Sequence, residues 1–188
     1  METHIPSREE AWELLLQYNK SESLINHALS VEAVMRLAAR KKGEDENKWA
    51  TIGLAHDLDY EQYPDQHCTM TKQILENAGW EHEYIRAILS HGWGICSDIE
   101  PLSELEKTLF AIDELTGLVT ACALVRPSKS VKDLEVKSVK KKWKEKSFAA
   151  GANREVILQG AAMLGVALDD LILLTIEGMR EVSDRIGL

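Results

Sequence analysis

The sequence predicts an all-α fold, a single-domain bundle of about eight or nine helices. Apolar residues recur at spacings of three and four along most of the chain, and no stretch shows the two-residue alternation of a half-buried strand. Only four Pro and eleven Gly interrupt the 188 residues, which favours long regular elements. A chain of this length can bury a substantial core within one domain.

Capping and breaking signals divide the chain into these helices. Ser7 and Ser103 each begin a capping box, because Glu10 and Glu106 follow three residues later. Gly43 ends an apolar-periodic stretch and suits the position just after a helix. The predicted helices lie at about residues 8–18, 22–43, 46–56, 68–78, 81–90, 104–125, 130–150, 154–164 and 169–188.

Charge is distributed unevenly along the chain. The net charge is −9, but residues 126–146 hold nine Lys or Arg and only three acidic residues, so the rest of the chain sums to −15. An acidic body argues against general nucleic-acid binding. The basic segment indicates either a solvated lysine face on a helix or a contact with a phosphorylated substrate.

We expect a cytoplasmic protein that spans no membrane. The sequence has no run of about 18 apolar residues. Residues 1–10 lack the positive region and following apolar region of a signal peptide. Cys68, Cys96 and Cys122 are widely spaced and form no CxxC motif, which is typical of reduced thiols in the cytosol. The sequence predicts no particular oligomeric state.

The stretch Gly53–Asp59, with the sequence GLAHDLD, carries the clearest chemical signal. The adjacent imidazole of His56 and carboxylate of Asp57 can ligate one metal ion, and the second carboxylate oxygen can reach another. Asp57 is expected near the C-terminal end of a helix, where the helix dipole disfavours a carboxylate. A bound cation would remove that conflict, whereas the alternative is an Asp that simply begins a turn.

Four further residues lie on or beside predicted helices in positions that suit metal ligands. They are His27, His67, His91 and Asp113. His27 shares the apolar face of its helix, and an Asp113 that faces the core would require a metal or an arginine as partner. Each has an ordinary alternative, such as a core histidine for His27 or an exposed loop histidine for His67. The set as a whole favours a metal site.

The order and spacing of these residues resemble the HD-domain superfamily of metal-dependent phosphohydrolases. The resemblance covers about residues 23–125, and it implies that residues 126–188 form a family-specific helical extension of a single domain, 1–188. It implies one metal ion held by His27, His56, Asp57 and Asp113. His67 and His91 resemble the additional ligands of dinuclear members, which implies a second ion bridged to the first by Asp57.

This resemblance also implies a cofactor and a reaction. One or two divalent transition-metal ions are expected; a His-rich set suits iron or manganese best, with nickel, cobalt or zinc as other options. His56 and Asp57 would support a metal-activated water that cleaves a phosphate ester or anhydride of a small molecule, with a nucleotide as the expected substrate. Cations that follow Asp113 in the chain are candidates to bind the phosphate. These weaker candidates are Arg126, Lys129, Lys146 and Arg154.

Two other functions remain open at this stage. Di-iron oxygenases use a similar set of four His and two Asp on the same fold, and a non-catalytic metal-binding regulatory module would need the same ligands. His91 is followed by Gly92 and no Gly-Tyr-Pro motif follows, unlike the cyclic-dinucleotide phosphodiesterase branch. The doublet also lacks the Glu-Asp pair expected of the alarmone hydrolases.

Overall fold

Nine α-helices and no β-strand make up residues 3–188, the part of the chain that this computed structural model describes, which confirms the predicted all-α fold. Two short 3₁₀ turns, Pro64–Gln66 and Ser90–Gly92, connect some of these helices. The helices are α1 (Arg8–Tyr18), α2 (Glu22–Lys42), α3 (Glu46–Leu54), α4 (Thr69–Asn77), α5 (His82–Leu89), α6 (Glu104–Leu124), α7 (Val136–Trp143), α8 (Arg154–Leu164) and α9 (Leu168–Glu181).

Both predicted capping boxes are formed, and they fix where α1 and α6 begin. The Ser7 hydroxyl accepts a hydrogen bond from the Glu10 N–H at 3.1 Å, and the Glu10 carboxylate accepts one from the Ser7 N–H at 2.7 Å. Ser103 and Glu106 repeat the arrangement at 3.2 and 2.9 Å. Reciprocal bonds of this kind satisfy backbone donors that have no partner within the helix.

The two 21-residue helices, α2 and α6, form the centre of the bundle. The α3 and α9 helices pack on α2, while α8 packs on α6. Two of these contacts depend on glycine. A Cβ atom at Gly160 of α8 would lie 2.5 Å from Ala111 of α6, and one at Gly178 of α9 would lie 2.7 Å from the Cα of Val34 on α2. These close approaches pack α8 and α9 tightly against α6 and α2, the two helices that carry the candidate ligands Asp113 and His27.

Three predicted helix bounds differ from the structure. The third helix ends at Leu54 rather than reaching His56, because residues 55–62 turn away and the His56 ring bonds back to the Gly53 carbonyl. The lysine-rich segment forms a helix only over Val136–Trp143, not over residues 130–150. The last helix begins at Leu168 and ends at Glu181.

Within the described residues, no single helix is both long enough and apolar enough to cross a membrane. Only α8 and α9 taken together have the length and composition of a span, and the pair is bent by 101° at the break between them.

Candidate metal centre

The six predicted metal ligands lie in one cluster, although they come from five separate places in the chain. They are His27 on α2, His56 and Asp57 in the turn after α3, His67 just before α4, His91 in the 3₁₀ turn after α5, and Asp113 on α6.

One half of the cluster joins α2, α6 and the turn after α3. The Nε2 atoms of His27 and His56 are 3.2 Å apart. Asp113 Oδ1 lies 3.0 Å from His27 Nε2 and 3.2 Å from His56 Nε2. Asp57 Oδ2 completes this group, at 3.4 Å from His56 Nε2 and 3.8 Å from His27 Nε2. Two nitrogen and two oxygen donors thus converge on one point.

The other half of the cluster lies on the opposite side of the Asp57 carboxylate. The Nε2 atoms of His67 and His91 are 3.2 Å apart. Asp57 Oδ1 lies 3.5 Å from the first and 3.3 Å from the second. The two oxygens of a single carboxylate are therefore divided between two histidine pairs.

Hydrogen bonds at Nδ1 set the tautomer of three of the rings. His56 Nδ1 donates to the Gly53 carbonyl at 2.8 Å, and His91 Nδ1 donates to the Ile88 carbonyl at 2.6 Å. His67 Nδ1 donates to a carboxylate oxygen of Asp59 at 2.7 Å. These oxygens can only accept, so each ring carries a proton on Nδ1 and leaves Nε2 as the atom that faces the cluster.

The fourth ring, His27, reaches the same tautomer through a hydroxyl. The Thr116 hydroxyl donates its own proton to the Asp113 carbonyl at 2.7 Å, so its oxygen accepts from His27 Nδ1 at 3.2 Å. All four Nε2 atoms consequently face the carboxylates of the two aspartates.

This arrangement of donors fits divalent cations. Asp57 Oδ1 is buried and has no hydrogen-bond donor among the described residues, a costly state for a carboxylate oxygen. The two Nε2 atoms of each pair, 3.2 Å apart, require a positive charge between them, which a proton or a metal ion can supply. Imidazole nitrogens combined with carboxylates suit zinc, iron, manganese and related ions.

Opposite charges outweigh burial in setting the pKa values of the cluster. Burial alone lowers the pKa of His56, but the charges of Asp57 and Asp113 raise it well above its usual value. Burial likewise lowers the pKa of His67, but the hydrogen bond to Asp59, with smaller contributions from other neighbours, raises it to about 10. The pKa of Asp113 is held far below its usual value against burial, chiefly by the charge of His56. The carboxylates are therefore ionised, and the cluster attracts positive charge.

A cavity of about 450 Å³ opens onto the cluster. Its polar wall contains the ligands together with Tyr60 and Glu114, the residue after Asp113 on α6. Its apolar wall comes from distant parts of the chain, with Leu24 from α2 and Val156 from α8. The loop between α7 and α8 adds Ala149, Gly151 and Ala152.

Comparison with known protein families matches residues 24–118, just over half of the chain, to the HD domain. The chain belongs to the HD-domain family. This confirms the resemblance seen in the sequence, and the match lies within the expected core at residues 23–125. HD domains are typically metal-dependent hydrolases that bind divalent ions. No curated protein and no solved structure matches the chain.

The four cationic residues predicted to bind phosphate do not line the cavity at the metal centre. Arg126 pairs with Asp133 at 2.8 Å, beyond the far end of α6. Arg154 directs its guanidinium toward the loop before α8, where it donates to four carbonyls of the loop and to that of Trp143, the last residue of α7. Lys129 and Lys146 are exposed.

Two residues that support the candidate metal centre, Asp59 and Thr116, were not assigned a role from sequence. Asp59 is fully buried and accepts from both His67 Nδ1 and the Thr71 N–H, the latter at 2.8 Å. Thr116 orients His27. An acidic residue two positions after the His-Asp doublet and a Thr one turn after Asp113 were visible in the sequence, but only the fold shows which ring each one meets.

Proposed function

We propose that this HD-domain protein is a metal-dependent phosphohydrolase that cleaves a phosphate ester of a small molecule with a metal-activated water. The observation that carries the proposal is the division of the Asp57 carboxylate between two pairs of histidines. A carboxylate with imidazoles on both sides can hold two adjacent metal ions, as two-metal phosphoryl transfer requires.

Each residue of the cluster has a defined task in this proposal. Bound divalent ions would lower the pKa of a shared water toward neutrality and offset the charge of the phosphoryl oxygens. His27, His56 and Asp113 would hold one ion, and His67 and His91 the other. Asp57 would keep the two ions adjacent and thereby place the reacting groups, which is the largest contribution the protein can make to an in-line displacement.

The charge of the cavity favours a substrate with a single phosphate. Among residues 3–188, no lysine or arginine lines the cavity, while Glu114 adds a carboxylate beside the ligands. The ions alone would neutralise the reacting phosphoryl group, so each further phosphate of a polyphosphate would lie near Glu114 without a cationic side chain to pair with. Leu24 and Val156 suit an organic group such as a nucleoside. We therefore propose a phosphate monoester, with a nucleoside monophosphate as the leading candidate.

Iron and manganese are the proposed ions, and the cytoplasm is the proposed location. The four imidazoles support a transition metal over magnesium. The spacing of the three cysteines supports a reducing compartment.

The test is phosphate release from monoesters, nucleoside monophosphates, nucleoside triphosphates and dinucleoside polyphosphates, each with iron, manganese, nickel or cobalt. We expect turnover of monophosphates, abolished in His56→Ala and Asp57→Ala and retained in the control His82→Ala, which alters an exposed histidine of α5. Metal binding without turnover of any ester would contradict the proposal and indicate a regulatory module. Oxygen consumption without phosphate release would instead identify a di-iron oxygenase.

A further inference from the structure

Two cysteines lie directly beside the His67–His91 half of the centre. The sulfur of Cys68, a ring nitrogen of His67 and a ring nitrogen of His91 all lie within 4.8 Å of one another. The sulfur of Cys96 lies 2.8 Å from that of Cys68, so the two thiols share one site. Cys68 is buried, whereas Cys96 lines the cavity.

The backbone is shaped around these two sulfurs at two separate points. Cys68 has φ 66° and ψ −42°, close to the γ-turn conformation with positive φ, which is strained and rare for a residue with a side chain. At Gly92, a Cβ atom would lie 2.6 Å from the Cys68 sulfur and 2.3 Å from the Cys96 sulfur, so any side chain there would displace the two sulfurs. Strain of this kind persists where the surrounding structure requires it and is concentrated at functional sites.

We propose that Cys68 is a thiolate ligand of the ion held by His67 and His91, and that the Cys96 thiol donates a hydrogen bond to that thiolate. Binding of the ion displaces the proton of Cys68 to solvent, since the thiolate is the form that ligates metals. Sulfur beside two imidazoles selects zinc, iron(II) or cobalt over the harder manganese and magnesium. The second position would therefore differ from the first, which has only nitrogen and oxygen donors. This inference rests on the metal-binding part of the proposed function and not on the reaction.

The test is cobalt substitution of the purified wild-type protein, kept under reductant and without oxygen. A cobalt–thiolate bond gives sulfur-to-cobalt charge-transfer absorption in the near ultraviolet, which nitrogen and oxygen ligands do not produce. We expect this absorption in the wild type and in the control Cys122→Ser, because Cys122 is a buried thiol of α6 outside the cavity wall. It should be lost in Cys68→Ser and kept, with a shift in energy, in Cys96→Ser.

A measurement on the wild type alone guards against misfolding of the variants. X-ray absorption of the zinc-loaded protein should show a sulfur scatterer at about 2.3 Å together with nitrogen or oxygen at about 2.0–2.1 Å. Only light scatterers, absence of the charge-transfer absorption, or a Cys68–Cys96 disulfide in the reduced preparation would overturn the proposal. The proposal would also be overturned if Cys96→Ser lost the absorption while Cys68→Ser kept it. A thiolate signal without phosphate release would refute the proposed reaction while leaving this ligand in place.

Discussion

At the scale of single residues, the orientation of each imidazole follows from the oxygen that its Nδ1 atom meets. Gly53 and Ile88 supply backbone carbonyls from the turn just before each ring. Asp59 is different, because it is a buried charge that serves His67 and the first turn of α4 at once. A ligand held in this way loses little freedom when it binds a metal ion.

Replacing Asp59 with Asn should weaken the second metal ion specifically. An amide cannot accept from both the His67 ring and the Thr71 N–H as the carboxylate does, so one buried donor loses its partner. We expect the affinity for the second ion to fall about 10- to 100-fold while the first ion stays bound. Elemental analysis across a metal titration measures this, with Asp65→Asn, an exposed residue of the nearby 3₁₀ turn, as control. Equal loss of both ions would mean that Asp59 supports the whole fold instead.

Substitution of single ligands should separate the two halves of the centre. His91→Ala removes a nitrogen donor from one half only, so the protein should retain about one ion instead of two. Asp57→Ala removes an oxygen from both halves and should reduce the occupancy of both. Anomalous diffraction at the edge of the bound metal distinguishes one site from two. Two fully occupied sites in Asp57→Ala would refute the bridging assignment.

At the scale of the elements, local sequence signals predicted where helices begin better than they predicted the path of the loops between them. The capping residues Ser7, Ser103 and Asn153 each precede the helix expected from them, because a cap is a contact within four residues. The lysine-rich stretch predicted a helix over residues 130–150, yet α7 has only eight residues. The loop after it lines the cavity, and Arg154 donates to its carbonyls, contacts that no spacing in the sequence specifies.

Arg154 should act by positioning the loop at residues 144–152. Its guanidinium donates to the carbonyls of Phe148 at 2.7 Å and Trp143 at 3.0 Å, among others, and the loop supplies part of the cavity wall. Charge-assisted bonds of this kind contribute about 1.5–3 kcal/mol, so Arg154→Ala should lower kcat/KM about tenfold or more, mainly through KM. Metal content should not change.

Limited proteolysis distinguishes this role from direct phosphate binding. The loop should be cleaved faster in Arg154→Ala than in the wild type or in Lys146→Ala, which alters an exposed residue of the same loop. Reduced activity with an unchanged rate of cleavage would indicate that Arg154 contacts the substrate.

At the scale of the whole molecule, the family resemblance predicted that the six candidate ligands meet and that Asp57 lies between two groups of them, whereas the residue spacing alone did not. The His-Asp doublet and the order of the remaining ligands indicate one family, and a match to the HD domain bears this out. The division of Asp57 between two histidine pairs requires α2, α6 and three inter-helix segments to meet. The extent of a single domain over residues 1–188 stays a prediction.

Because the ligands come from five separate parts of the chain, bound metal should stabilise the entire fold. An ion that binds only the folded state raises the free energy of unfolding by about 2.7 kcal/mol at a free concentration 100 times its Kd. Thermal unfolding should therefore occur several degrees lower after chelation, and adding metal back should restore it. In Asp57→Ala the difference between the chelated and metal-loaded protein should shrink sharply, while His82→Ala should behave as the wild type. If chelation leaves the wild-type transition unchanged although elemental analysis shows that the ions were removed, the centre is not the link between these helices, and the close approaches at Gly160 and Gly178 hold the bundle without it.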